Sequence, residues 1–450
     1  MAEVIKIKKG LDINLSGKAE QILSASVLPE MFSVRPDDFL GITPRLSVKV
    51  GDEVKVGTEI FHDKDNLELK VVSPVSGVVS AVNRGERRKL IDIQIKSDGK
   101  FEREAFEKAD PKSLNKEEVV SRLKKAGFAA FIKMRPYDIV ANIDVAPKAV
   151  FVSAFDSAPL SADYDFVFSK ELENIQYGIN AISVASGAKV YLSVKNDTKS
   201  SDIFKQLVNV EQYLIEGPHP SGNVGVQINH ISPINKGEVV WTINMQTLAM
   251  IGNAFKSGVI DFARTIALVG SSVSAPSYYK TVYGACISSI VEGKLKEESV
   301  RYISGNPLTG LQISKDGFLC AFDQQITVIP ETTEDELLGW IMPRFKKFST
   351  SRTYFSWLFG NKEYALDTNV NGGERAIITS NEYDKVFPFD IYPEYLIKAI
   401  IAKNIDKMID LGIYEVAPED FALCEFVDTS KLPLQKIVRD GLDYLRKEEA

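Results

Sequence analysis

A chain of 450 residues with 44% apolar and 26% charged residues is too long for one core and is expected to fold as two to four globular domains. Its net charge of −7 excludes the broad basic face with which nucleic-acid binders neutralise phosphates. Three cysteines, Cys286, Cys320 and Cys424, are spread too widely for a disulfide framework and fit a reducing cytoplasm; no stretch has the roughly 18 apolar residues of a spanning helix, and no secretory leader opens the chain.

The first block is β-rich. Val48-Lys49-Val50-Gly51-Asp52-Glu53-Val54, continuing to Ile60, predicts two strands joined by a Gly-Asp turn, and Ser73-Pro74-Val75-Ser76-Gly77-Val78-Val79 a turn into another strand. That grammar is the grammar of a barrel-sandwich hybrid, the fold of biotin- and lipoyl-carrier domains, and residues 1–100 are assigned to it. A carrier presents a modified lysine at a hairpin tip, a fixed step before the proline of the second turn. Here that step lands on Asn66, with Lys64 two places away, so the module keeps the fold and lacks the arm. Ile91, Ile93 and Ile95 alternate in the closing strand, and the basic hairpin 84–89 before it reads as a solvated turn.

Helices and strands then alternate through residues 101–255, which implies a parallel sheet covered by helices. Asn115 and Glu118 make a capping-box pattern ahead of Val119, Val120 and Leu123, and Gly127 stops that helix. Strands are expected at 149–152, 165–168, 189–194 and 213–215, with helices near 171–186 and 200–208. A second α+β unit spans 256–330, with a strand at 265–270 and a helix near 285–293. The last block, 331–450, is mostly helical, notably 394–412 and 434–447, where apolar residues recur at three- and four-residue spacing.

Few residues have the spacing of known chemistry. His62, His219 and His230 have no ligand spacing, so no metal site is expected; His219, between two prolines, reads as a structural turn residue. The run 304–310 is glycine-flanked but lacks the Lys-Ser/Thr end of a phosphate loop and reads as a turn. Two segments stand out. Phe131, Lys133, Met134, Arg135 and Tyr137 combine apolar walls, two cationic donors and a phenol. A quinone needs that mixture, for its ring and for carbonyl oxygens that gain negative charge on reduction; a buried strand with two solvated ends explains it equally. The second segment, Met342 to Phe359, carries Arg344, Lys346, Lys347 and Arg352, no acid, and six aromatics including Trp357. On an acidic chain it suits docking to a membrane partner at the headgroup level, and packing within the chain accounts for the aromatics nearly as well.

A set of strings in fixed order carries a wider resemblance. It includes Ile5-Lys6-Ile7-Lys8-Lys9-Gly10-Leu11-Asp12-Ile13, Thr43-Pro44-Arg45-Leu46, Arg135-Pro136-Tyr137, 152–160, Gly217-Pro218-His219-Pro220-Ser221-Gly222-Asn223, Ile303-Ser304-Gly305-Asn306-Pro307-Leu308-Thr309-Gly310 and Ala422-Leu423-Cys424-Glu425-Phe426-Val427. Over nearly its whole length the chain resembles the NqrA family, a component of the Na+-translocating NADH:quinone reductases of bacterial inner membranes. That family is similar to the RnfC component of the Rnf electron-transport complex and to the flavin-bearing subunit of respiratory complex I.

The resemblance implies four domains: a barrel-sandwich hybrid (1–100), a Rossmann-like α/β domain (101–255), a β-grasp, SLBB-like domain (256–330) and a helical C-terminal domain (331–450). In flavin-binding relatives a glycine-crowded loop follows the helix corresponding to 115–127; here Phe128, Phe131, Ile132 and Met134 stand in its place, which removes the close backbone approach a phosphate needs. Cys424-Glu425-Phe426-Val427-Asp428-Thr429-Ser430 resembles the edge of a ferredoxin-like cluster motif without its other cysteines. The resemblance therefore implies no cofactor on this chain and quinone as substrate. FAD, FMN, riboflavin and iron–sulfur centres would sit on the partner components NqrB to NqrF, chiefly beside the quinone-reducing membrane component NqrB. The chain would be peripheral, on the cytoplasmic face, in a complex passing electrons from NADH to ubiquinone or menaquinone with Na+ export, and without turnover alone. A free-standing flavin or NADH dehydrogenase and a pure scaffold are the competing readings.

Overall fold

The computed structural model describes residues 3–332, 343–359, 362–370 and 372–449. Strand β1 (Glu3–Lys6) pairs in parallel with residues 213–216. The opening residues thus belong to the α/β sheet and not to the β module to which residues 1–100 were assigned; they cover what would otherwise be an open sheet edge. The chain then bridges Leu15 to Tyr364 and Leu23 to Tyr278 before entering the β module.

That module comprises β2 (Met31–Val34), β3 (Pro44–Leu46), β4 (Glu53–Val54), β5 (Glu59–Asp63), β6 (Lys70–Val72), β7 (Gly77–Arg84) and β8 (Leu90–Ser97). Two antiparallel sheets, β2-β8-β7-β4 and β3-β5-β6, bury Phe32, Phe61, Val71, Val79, Ile93 and Ile95. Val48 to Val50 are not a strand as expected. The Asp52 carboxylate accepts from the Lys49 N–H at 2.9 Å and holds the turn in place of ladder bonds. At the β5–β6 tip, where a carrier lysine would stand, Asn66 is followed by Glu68, which pairs with Lys124 at 2.7 Å. The tip is moored.

The α/β region contains α1 (Lys116–Lys125), β9 (Lys133–Arg135), β10 (Ile139–Val140), β11 (Ala149–Ser153), α2 (Tyr164–Phe168), α3 (Leu172–Ser186), β12 (Lys189–Lys195), α4 (Thr198–Phe204), β13 (Glu211–Glu216), α5 (Val224–Ile231), β14 (Val240–Thr242) and α6 (Met245–Ser257). Its seven strands run β1-β13-β12-β11-β14-β9-β10, with β11 parallel to both β12 and β14. The period of two divides the faces: Val150, Val152, Leu192 and Trp241 join the main core with residues of α3 and α6, while Ala149, Phe151 and Val240 pack with Ile228 of α5. The capping box at Asn115 and Glu118 is present. Residues 165–168, expected as a strand, are helical, because the Asp163 carboxylate caps the Phe166 N–H at 3.1 Å. Helices α3 and α6 meet backbone to backbone, so a Cβ on Gly252 would lie 1.6 Å from the Asn174 carbonyl oxygen.

The next unit has β15 (Ala263–Val269), β16 (Ser277–Val282), α7 (Ser288–Val291), β17 (Val300–Ser304), β18 (Leu311–Ile313) and β19 (Gln325–Pro330), in the order β16-β15-β19-β17-β18. The helix expected near 285–293 is reduced to α7. In the C-terminal block, α8 (Tyr383–Val386), α9 (Pro393–Ile401), α10 (Ile405–Asp410), α11 (Ala422–Val427) and α12 (Leu434–Glu449) enclose a second core of Leu396, Ile397, Met408, Val438 and Leu442 that also takes in Phe155, Ile215 and Val226. The stretch 394–412 is helical as expected, in two pieces that part where Lys403 turns left-handed (φ 52) and Asn404 caps α10. Among the described residues no helix is long and apolar enough to cross a membrane.

Candidate functional site

The chain passes from β11 outward to β12 and β13, then returns to β14 on the other side of β11. At such a reversal the connections leave in opposite directions, and a crevice opens beyond the carboxyl ends of the strands. Here it has a volume of about 230 Å³, with Ser153 at the end of β11, Thr242 and Asn244 at the end of β14, Asn223 at the start of α5, and Glu419 reaching in from the helical block.

Phe131 and Lys133 both line this crevice. Gly127 ends α1 in the left-handed region (φ 77), and the chain continues as a short 3-10 helix that buries Phe128, Ala129, Ala130 and Phe131. The Phe131 ring stacks on Phe262 at 5.8 Å and meets Phe39, Tyr283 and Phe322 edge-on or tilted at 5.4–5.6 Å. The Lys133 ammonium stands 4.7 Å from the centre of the Phe322 ring and 3.8 Å from the Asp138 carboxylate. Burial opposes charge on Asp138, yet Lys133, Arg135 and Arg439 together hold it below the usual carboxylate range. Burial pushes Asp156 up and His219 down to about 4, which leaves a neutral imidazole. The Ser157 hydroxyl accepts from the Gly222 N–H at 2.8 Å and lies 3.0 Å from His219 Nδ1. Asn306 lines the crevice from the turn after β17, which its side chain closes by accepting from the Leu308 and Thr309 N–H groups.

The other three residues singled out in this segment lie elsewhere. Met134 sits within the sheet opposite Trp241 and Ile139. Arg135 is only 1% exposed, and its guanidinium donates to Glu419 at 2.6 Å and Asp420 at 3.1 Å. It clamps the α/β sheet to the helical block. Burial pushes Asp420 up to about 7 against the pull of Arg135. The Tyr137 hydroxyl donates to Glu449. Asp138, Asn244, Phe322 and Glu419 went unnoticed in the sequence, and Asp156 and Asn223 entered only as parts of the strings that carry the resemblance. The one local signal was Asn244, a helix cap directly after a strand, which is where a switch-point wall must stand.

Of the basic segment, Met342 lies outside the described residues. Lys346 and Lys347 line a separate cavity of about 540 Å³ with Lys431 and Glu425. Arg344 lies 5.8 Å from the Tyr354 ring and Arg352 5.3 Å from the Trp357 ring.

Three family models match in chain order: the NqrA N-terminal barrel-sandwich hybrid domain on residues 5–98, the NqrA second alpha/beta domain on 114–260, and the NQRA C-terminal domain on 265–315. The NqrA component of the Na+-translocating NADH-quinone reductase of Hahella chejuensis is 35% identical over 452 residues, covering 99% of this chain and 100% of its own. This chain belongs to the NqrA family. The NqrA proteins of Neisseria meningitidis (35% over 450 residues) and Vibrio parahaemolyticus (33% over 448 residues) match over 99% of this chain and all of their own length. A crystal structure of an NAD+-reducing [NiFe]-hydrogenase in the H2-reduced state has 14% identity and a TM-score of 0.35, covering 68% of this chain and 56% of that one; a likeness at that level carries no argument. Within the NqrA family, then, the barrel-sandwich module and the α/β sheet are matched domains, and the switch-point crevice lies mainly in the second.

Proposed function

We propose that this chain is a peripheral, cytoplasmic-face component of a Na+-translocating NADH:quinone reductase, and that its switch-point crevice receives the quinone ring. The observation that carries the reading is the meeting of Phe131, Phe322 and Lys133 at one crevice. The aromatic rings supply an apolar wall. The Lys133 ammonium is a donor for a carbonyl oxygen as negative charge develops there, and Asp138 keeps it in place. Electrons would arrive from centres on the partner components NqrB to NqrF, chiefly through the membrane component NqrB. Those partners would hold the FAD, FMN, riboflavin and iron–sulfur groups.

Two features support a chain without cofactors of its own. Among the described residues the crevice is lined by Asp138, Asp156 and Glu419 with Lys133 as its one lysine or arginine, and the segment 128–131 is packed into the core, so the residues present do not fit a flavin phosphate. Cys424 is buried, and burial together with Asp384, Asp420, Asp428 and Glu394 pushes its thiol well above the ordinary range, the opposite of what a cluster thiolate needs. Kinship with the flavin-bearing subunit of complex I and with RnfC belongs to the same proposal.

The test is a photoreactive quinone analogue applied to the assembled complex. Labelling within residues 128–138, weakened by Lys133→Ala and by the volume-conserving Phe131→Leu, supports the reading. Labelling confined to the partners leaves this chain a scaffold, and a stoichiometric flavin band on the purified chain points to a dehydrogenase.

A further inference from the structure

The loop 343–358 has two unlike sides. It is closed by the Phe355 N–H donating to the Pro343 carbonyl at 3.2 Å and by Lys362 Nζ donating to the Phe345 carbonyl at 2.8 Å. Its root is packed: Phe348 meets the Tyr364 ring at 5.4 Å and the Phe426 ring at 5.9 Å, and Ser356 is buried. Its outer side is more open. Phe345 and Phe355 are each 48% exposed, Trp357 46% and Leu358 58%, with the two phenylalanine rings 6.2 Å apart. Exposed apolar groups gathered this closely leave unrecovered the free energy that their burial would release.

Around that tip stand Arg344, Lys346, Lys347 and Arg352, with no acid between residues 343 and 358. Lys431 faces the same cavity as Lys346 and Lys347, which Asp367 and Glu425 also line. Burial and then the neighbouring Arg344 hold the Lys347 ammonium below its ordinary value, against the pull of Asp367. The rest of the chain is acidic, since the whole carries −7. A negatively charged bilayer surface would repel most of this molecule and attract this loop.

We propose that the loop seats its aromatic tip among the headgroups of an anionic phospholipid bilayer, with its lysines and arginines against the lipid phosphates. An indole beside a guanidinium, aliphatic stems carrying charged ends, and exposed apolar tips are what the bilayer interface accepts. Neither group alone anchors a protein well; together they supply the two signals that stable attachment needs. This goes beyond the function proposed above, because it requires no protein partner.

The full chain should co-sediment with vesicles of mixed phosphatidylglycerol and phosphatidylcholine and not with phosphatidylcholine alone, and added salt should release it. Lys346→Glu with Arg352→Glu should weaken binding about ten-fold or more, and Trp357→Ser with Leu358→Ser should weaken it without removing the salt dependence. Both pairs are surface changes, and circular dichroism melts would verify the fold. No sedimentation with anionic vesicles, or undiminished binding by both variants, overturns the proposal. So does protection of the loop from protease by the detergent-solubilised membrane component but never by anionic vesicles, which would make it a protein contact.

Discussion

Lys133 and Arg135 are two residues apart on one short strand, yet they serve opposite ends. Lys133 keeps 28% of its side chain exposed, with one carboxylate at 3.8 Å and a ring beneath it. Arg135 is sealed between two carboxylates of the helical block, at 2.6 and 3.1 Å. The first is a charge left available at a crevice, and the second is consumed in holding two layers together. Cationic residues in a candidate motif are thus informative only once their partners are known.

The sharpest way to break this contrast is Arg135→Ala. It strands Glu419 and Asp420 beside a gap at the interlayer contact and should cost about 3–5 kcal/mol, read as a drop in the urea midpoint; a change within error would mean the clamp is not a clamp. Gly252→Ala comes next. The added methyl must push α6 off the Asn174 carbonyl, at about 1–3 kcal/mol or more by overpacking, seen in thermal melts. Stability against pH follows, with two opposed signs. Asp420 is raised by burial to about 7, so its contribution is complete at low pH and is lost as pH rises through about 7. His219 is lowered by burial from 6.5 to about 4, so its contribution is present above its ordinary value and is lost as pH falls through about 4. Urea titrations of Asp420→Asn should therefore lose the decline toward pH 7 and keep the decline toward pH 4. The smallest structural effect belongs to Lys133→Ala, about 1 kcal/mol or less, with a several-fold loss of quinone-analogue labelling. Equal damage to stability from Lys133→Ala and Arg135→Ala would erase the distinction.

Much of the fold was legible. The Gly-Asp and Pro-Val-Ser-Gly turns specify the β module, and Asn115 with Glu118 specifies the start of α1, because turn and cap chemistry act within a few residues. One error came where a local cap outweighed a pattern, as Asp163 does for 165–168. The assignment of residues 3–6 failed for another reason. A four-residue strand carries no mark of its neighbour, and its parallel partner lies at 213–216.

The residues themselves determined the family, the asparagine at the hairpin tip where a carrier would have its lysine, the bulky residues that follow α1 and the basic aromatic segment, since each is a matter of residue type at a position along one chain. Only the tertiary structure decided that Phe131 and Lys133 share a crevice with Asp138, Phe322 and Glu419 while Arg135 does not. Strand order and domain packing bring together residues hundreds of positions apart, and burial, which sets whether a charge is spent or available, exists only after they have met.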